Sequence, residues 1–104
     1  MIIPKVKLKG KITIPATYKN KPVVCIGGFS SDSNYGPGFA HEITHIFFEK
    51  NSQLYEVSSA AFKYLTSLTY FDFSQNTLRY VGAYAFQGCE NLKAALNSQG
   101  ESQF

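Results

Sequence analysis

His41-Glu42-Ile43-Thr44-His45 spells H-E-x-x-H. On a helix, that spacing sets two imidazoles on one face to hold zinc and places the glutamate as base for a metal-bound water. The neighbours Phe39, Ala40, Ile43, Ile46 and Phe47 follow helical spacing, so the local pattern tolerates a helix. The chain has only these two histidines, so a third imidazole ligand is absent. Glu56 and Asp72 are carboxylates that could be proposed instead. On a strand the chemistry fails outright: residues i and i+4 stand about 13 Å apart, whereas two nitrogens bound at about 2.0–2.1 Å to one zinc lie about 4 Å apart. The two cysteines, Cys25 and Cys89, form no C-x-x-C pair and no disulfide framework. Nothing in the sequence pairs Cys25, in VVCIGG, with either histidine as a nucleophile–base couple. Gly27-Gly28 is too short for a phosphate loop and reads as a turn.

Whether residues 41–45 are helix or strand is decided by a wider pattern. VSSAAFKYLTSL (57–68) and VGAYAFQGCENL (81–92) carry the same phrase. Leu54 and Leu78 are 24 positions apart, and so are Val57 and Val81, Ala61 and Ala85, Phe62 and Phe86, and Leu68 and Leu92. Internal periods between about 20 and 50 residues mark repeat architectures. Between the two phrases, LTYFDFSQNTL (68–78) reads L-x-x-F-x-F-x-x-N-x-L, the leucine-rich pattern with Phe71, Phe73 and Asn76 in its slots. ITHIFFEKNSQL (43–54) matches again through Ile43, Ile46, Phe48 and Asn51, with Leu54 one position late. LKAALNSQG, from residue 92, is a degraded copy in which Ala95 and Asn97 fill apolar slots and Gly100 replaces asparagine. KITIP (11–15) reads as an earlier strand with Ile12 and Ile14 inward.

Each slot has a physical reason. Residues i and i+2 of a strand point the same way, so Phe71 and Phe73 enter one interior. The asparagine hydrogen-bonds backbone groups as the chain leaves the strand. In the Ala-Phe pair, Ala permits close approach and Phe fills the far side. One unit cannot bury its own apolar face, so several must stack. The expected fold is therefore a short repeat solenoid. It is a right-handed leucine-rich-repeat coil with a small parallel sheet, about three repeats of about 24 residues, and an N-terminal strand segment. Ile43 opens a repeat, so His45 belongs on a strand and H-E-x-x-H is a fortuitous match. No catalytic residue, metal or cofactor is expected.

ITHIFFEKNSQLYEVSSAAF and LTYFDFSQNTLRYVGAYAFQGCENL resemble the BspA-like leucine-rich repeat family, and KITIPATYKNKPVVCIGGF resembles its lead-in segment. The resemblance covers about residues 11–96. It implies that Cys89 is a buried core thiol in the slot that Leu65 fills one repeat earlier. It also implies a non-enzymatic surface protein, secreted or cell-surface, that binds proteins or surfaces. MIIPKVKLKGK contains no apolar signal-peptide core.

The chain of 104 residues is expected to be one domain. Residues 1–26 are lead-in strands, 27–42 an inserted loop, 43–97 the repeats and 98–104 a mobile tail. The loop, with GGFSSDSNYGPG at its heart, is rich in Gly, Ser, Asp, Asn and Pro. Insertions in repeat proteins project from one face and often bind. Apolar residues make up 44% and charged residues 16%, which is globular and not disordered. No apolar run approaches the ~20 residues that span a bilayer.

The net charge is +3, and six of the ten basic residues lie in the first 21 positions. Lys5, Lys7, Lys9 and Lys11 alternate with Val6, Leu8, Gly10 and Ile12, one lysine face on an extended segment that reads as a solvated face or a guarded sheet edge, with a nucleic-acid or anionic-membrane patch as the alternative. No aromatic interleaves with them to stack on bases, so nucleic acid is not the expected partner.

Function, if it resides on the sheet, falls on the strand residues that do not point inward. The repeat register places them in three rows: His45, Tyr70 and Ala94; Phe47, Asp72 and Leu96; Glu49, Ser74 and Ser98. The candidate binding residues are His45, Phe47, Glu49, Tyr70, Asp72 and Ser74, with the 29–40 loop beside them. A protein partner or cell-surface ligand is expected, with end-to-end self-association possible through an uncapped end. The alternative is a structural spacer within a longer surface protein; a small zinc hydrolase ranks third.

Overall fold

The computed structural model describes residues 3–4, 6–32, 38, 40–76 and 78–96, with Leu96 described through its backbone alone. The expected tail, 98–104, lies outside the described residues, as do Asn97, Phe39, Lys5 and residues 33–37 of the inserted loop.

The described strands are β1 (Lys9–Ile14), β2 (Thr17–Tyr18), β3 (Lys21–Pro22), β4 (Cys25–Ile26), β5 (Glu42–Phe48), β6 (Glu56–Val57), β7 (Tyr70–Asp72), β8 (Tyr80–Val81) and β9 (Ala94–Leu96). They make two parallel sheets that do not close on each other. One is β1-β5-β7-β9; the other is β4-β6-β8. Parallel neighbours require a crossover between them, and here each unit of the repeat supplies it by crossing from one sheet to the other. The strand pairs carry the period directly: Glu56 pairs with Tyr80 and Tyr70 with Ala94, both 24 apart, and His45 pairs with Tyr70, 25 apart. Cys25 pairs with Glu56 across 31 positions rather than 24, so the inserted loop adds seven residues to the first crossover. The antiparallel β2–β3 pair is a side hairpin turned by Lys19 and Asn20, whose φ values of 51° and 65° suit a two-residue hairpin turn.

A bulge explains why the apolar slots of β5 fall at 43 and 46, out of step with period two. Gly10 pairs with Ile43 and Lys11 with His45, which leaves Thr44 unopposed. The extra residue lets both Ile43 and Ile46 face inward, and both are fully buried. Gly10 takes φ 72°, a left-handed value that favours glycine. The Thr44 carbonyl still finds partners: it accepts from Thr69 N at 2.8 Å and from Thr69 Oγ1 at 3.0 Å. Lys93 N donates in the same way to Thr69 O, at 2.9 Å.

The core is a column of rings between the sheets. Phe29 meets Phe62 at 5.2 Å, Phe62 stacks on Phe86 at 5.3 Å, and Phe71 contacts Phe62, Phe86 and Phe73 at 5.5, 5.2 and 5.7 Å. Offset and edge-on rings at such distances add to their burial. Around them pack Ile26, Ile43, Ile46, Leu54, Val57, Leu65 and Leu68, all fully buried.

Two placements differ from the sequence expectation. The asparagine slot of the unit holding β5 belongs to Ser52. Ser52 N donates to Glu49 O as Asn76 N does to Phe73 O, and Asn76 Nδ2 donates to Ser52 Oγ at 3.3 Å. Asn51 is instead exposed with φ 69°, an αL position that absorbs the extra residue of this unit. Phe29 and Ser30, assigned to the loop, are buried in the core.

Candidate functional site

Inward Ile46, Phe48 and Phe71 leave His45, Phe47 and Tyr70 on the outer face of the four-stranded sheet. Adjacent strands bring the three rings together. The ring of His45 lies 6.2 Å from that of Phe47, with planes nearly parallel at 14°; Tyr70 lies 5.8 Å from His45 and 5.7 Å from Phe47, tilted by 40° and 48°. Each ring is half-buried. The result is a shallow platform of two near-parallel rings with a third tilted against both. Thr44 Oγ1 lies 2.8 Å from His45 Nδ1 and steadies the imidazole. Lys11 pairs with His45 and Thr13 with Phe47 on one flank, and Ala94 pairs with Tyr70 on the other. Large side chains thus wall only part of the platform. Burial, and then the charge of Asp72, push the Tyr70 phenol above its ordinary pKa, so its hydroxyl stays protonated and able to donate.

The two carboxylates of the expected site do a different task. Glu49 Oε1 accepts from Ala16 N at 2.8 Å, and Asp72 Oδ1 accepts from Ser74 N at 2.9 Å. Each holds the backbone where a chain leaves the sheet, the Asp72 contact being an Asx-type turn. Glu49 and Ser74 sit past the strand ends, and Ser98 of the same row is outside the described residues. The rings therefore cluster, while Glu49, Asp72 and Ser74 frame the exit turns.

The described part of the 29–40 loop is tied down. Ser30 Oγ donates to Lys63 O at 2.9 Å and accepts from Asp32 N at 2.9 Å, and Ser31 N donates to Lys63 O at 3.0 Å. Lys63 Nζ pairs with Asp32 at 3.3 Å with both side chains mostly buried. Sequence reading missed this anchor. Its one signal was Phe29 after a small residue, as Phe62 and Phe86 follow alanine.

H-E-x-x-H builds no metal site here. Glu42 through His45 lie on β5, where the pleat separates the two imidazoles. The Glu42 carboxylate, held below its usual range by its hydrogen bond to Lys7, pairs with Lys7 Nζ at 3.0 Å. Among the described residues no cluster of three or more His, Cys, Asp or Glu side chains could hold a metal ion. No described helix is long and apolar enough to cross a membrane. Cys89 is half-buried against the core, its Sγ donating to Phe62 O at 3.0 Å.

Repeated slots, parallel strands at the repeat period and an aromatic outer face define a repeat protein of the leucine-rich class. The leucine rich repeat family matches residues 43–94, half of the chain, and the chain belongs to that family. Leucine-rich repeat domains generally mediate protein–protein interaction and are typically non-catalytic. Comparison with curated proteins and with solved structures finds no match.

Proposed function

We propose that this chain is a non-catalytic binding module that engages a protein partner through the outer face of the β1-β5-β7-β9 sheet. The observation that carries the reading is the mutual contact of His45, Phe47 and Tyr70 on the outer face of this sheet. Aromatic clusters of this kind are where binding energy concentrates. Lys11 and Thr13 supply a polar flank, and Glu49, Asp72 and Ser74 frame the far rim. The 29–40 loop, anchored through Lys63, adds a second contact beside the sheet.

In this reading the whole chain, 1–104, is one domain. About three units stack as a short right-handed solenoid over 43–97, behind lead-in strands 1–26 and the insertion 27–42. The subtype is BspA-like, and the role is adhesion at a cell surface. A spacer role in a longer surface protein is the second reading; it is favoured by β8 and β9 being the last strands of their sheets among the described residues, edges onto which further repeats would fit.

Capture by the immobilised chain tests the leading reading. Proteins retained by the native chain should be lost with Phe47→Ala/Tyr70→Ala and kept with Tyr80→Ala, an exposed residue of the β4-β6-β8 sheet. Retention unchanged by the double substitution, in a variant that keeps the native circular dichroism, sinks it.

A further inference from the structure

The rings of His45, Phe47 and Tyr70 do not stand on a neutral face. On β1, Ile14 is buried and Ile12 packs on the core, so the exposed Lys9, Lys11 and Thr13 lie on the outer side. The register sets Lys9 opposite Glu42, Lys11 opposite His45 and Thr13 opposite Phe47. Neighbouring strands lie about 4.8 Å apart. Lys11 therefore borders the platform directly, and Lys9 occupies the outward slot before it. No aromatic residue separates these lysines in the sequence; the parallel pairing of β1 with β5 brings the rings beside them.

The cations are not offset locally. Glu42, the carboxylate opposite them, is taken by Lys7 Nζ at 3.0 Å. Lys9 and Lys11 have no ion pair among the described residues. The negative charge of the face lies at the other end of the parallel strands, on Glu49 and Asp72, where backbone N–H groups of Ala16 and Ser74 hold the carboxylates. The face thus runs from cations at the strand starts, across three rings, to carboxylates at the strand exits.

We propose that the partner docks on this face with an extended acidic segment, its carboxylates over Lys9 and Lys11 and an apolar or aromatic side chain on the platform. The proposal rests on the sheet face being the binding surface. Complementary charge steers a partner and fixes its register. On an extended segment, side chains of one face recur about every 6.6 Å, the same step that separates His45 from Phe47, so a segment lying along the strands meets successive outward slots. Single-stranded nucleic acid also stacks on rings and tracks cations. It carries charge at every nucleotide, however, and Glu49 and Asp72 oppose that charge at the exits. A protein segment can be acidic at one end alone.

Selection of short random peptides, displayed on phage, on the immobilised full chain tests the proposal. Retained sequences should be enriched in Asp and Glu to one side of an apolar or aromatic residue. A synthetic peptide of the consensus sequence should bind more weakly as salt rises. Lys9→Gln/Lys11→Gln should weaken it about tenfold, the worth of two exposed ion pairs. Arg79→Gln, beside β8 of the other sheet, should leave its affinity unchanged. Binding that falls with Phe47→Ala/Tyr70→Ala but not with Lys9→Gln/Lys11→Gln overturns the acidic assignment and leaves the sheet-face reading standing. A library without acidic enrichment, or without any binder, also overturns that assignment. Selected peptides that ignore Phe47→Ala/Tyr70→Ala overturn both. Tighter binding of an oligothymidylate of matching length, lost with the same lysine and ring substitutions, overturns the proposal in favour of a nucleic-acid surface.

Discussion

Residues 56–65 and 80–89 are the same segment written twice, and they live in different surroundings. Both begin with a short strand of the β4-β6-β8 sheet and turn through left-handed residues at matched places, Ala60 and Tyr84 at φ 54° and 60°, then Tyr64 and Gly88 at 63° and 75°. Both send a phenylalanine into the ring column. Yet Val57, Ala60, Phe62 and Leu65 are buried, while Val81 and Tyr84 are exposed and Phe86 and Cys89 are only partly covered. Burial in a repeat belongs to the neighbour as much as to the residue. The slot says which way a side chain points; only the next unit says whether water reaches it.

The largest test of that contrast is to empty one slot in each copy. Phe62→Ala removes a ring enclosed by Phe29, Phe71 and Phe86, and should cost about 3–5 kcal/mol in urea unfolding. Phe86→Ala opens onto a cavity of about 330 Å³ and should cost about 1–2 kcal/mol, because water already reaches its surroundings and less cavity is created. Equal losses in dilute solution would break the comparison, since they would mean that Phe86 is as fully covered as Phe62.

Gly82 sharpens the same contrast from the backbone side. A Cβ there would overlap the backbone of Ser58 and Ser59, which has no flexible end to yield. Gly82→Ala should therefore force the two copies apart and cost about 1–3 kcal/mol. Gly10→Ala meets nothing within 4 Å and carries only the penalty of φ 72°, about 1 kcal/mol. Chemical denaturation of both variants gives the order; a Gly82→Ala variant no weaker than Gly10→Ala would show that the copies are not in close backbone contact.

The parts of this fold that were legible are those written more than once. Val57 and Val81, Phe62 and Phe86, and the apolar positions of β5 and β7 announce themselves by period, and period two within a strand put His45, Phe47 and Tyr70 on the outer face. What escaped notice depends on pairing between distant strands. The bulge at Thr44 exists only against Gly10 of β1. Ser52 takes the asparagine slot from Asn51 because the extra residue is absorbed in a turn, and local sequence favours the asparagine. Phe29 and the Asp32–Lys63 pair were hidden inside a stretch whose composition reads as loop. The repeat register put the carboxylates Glu49 and Asp72 among the binding candidates, while the nearby N–H groups of Ala16 and Ser74 engage them.

The smallest predicted effect separates Leu65 from Cys89, a core slot that holds a hydrocarbon in one copy and a thiol in the other. Burial pushes the Cys89 thiol above its ordinary pKa, with a weaker opposing pull from the Leu65 backbone. A thiol whose folded pKa is raised binds its proton more tightly folded than unfolded. Its contribution to stability is complete below the unfolded pKa, about 8.5, and is lost as pH rises through the folded value. The native chain should therefore lose stability from about pH 8.5 upward faster than Cys89→Ala does, by at most about 1.4 kcal/mol per pH unit. Cys25, also pushed up by burial and then by Glu56, is present in both proteins and cancels in the difference. Parallel stability curves for the two proteins above that pH would mean that Cys89 is no more shielded than an exposed thiol. The partial cover assigned to this end of the stack would then be wrong at that position.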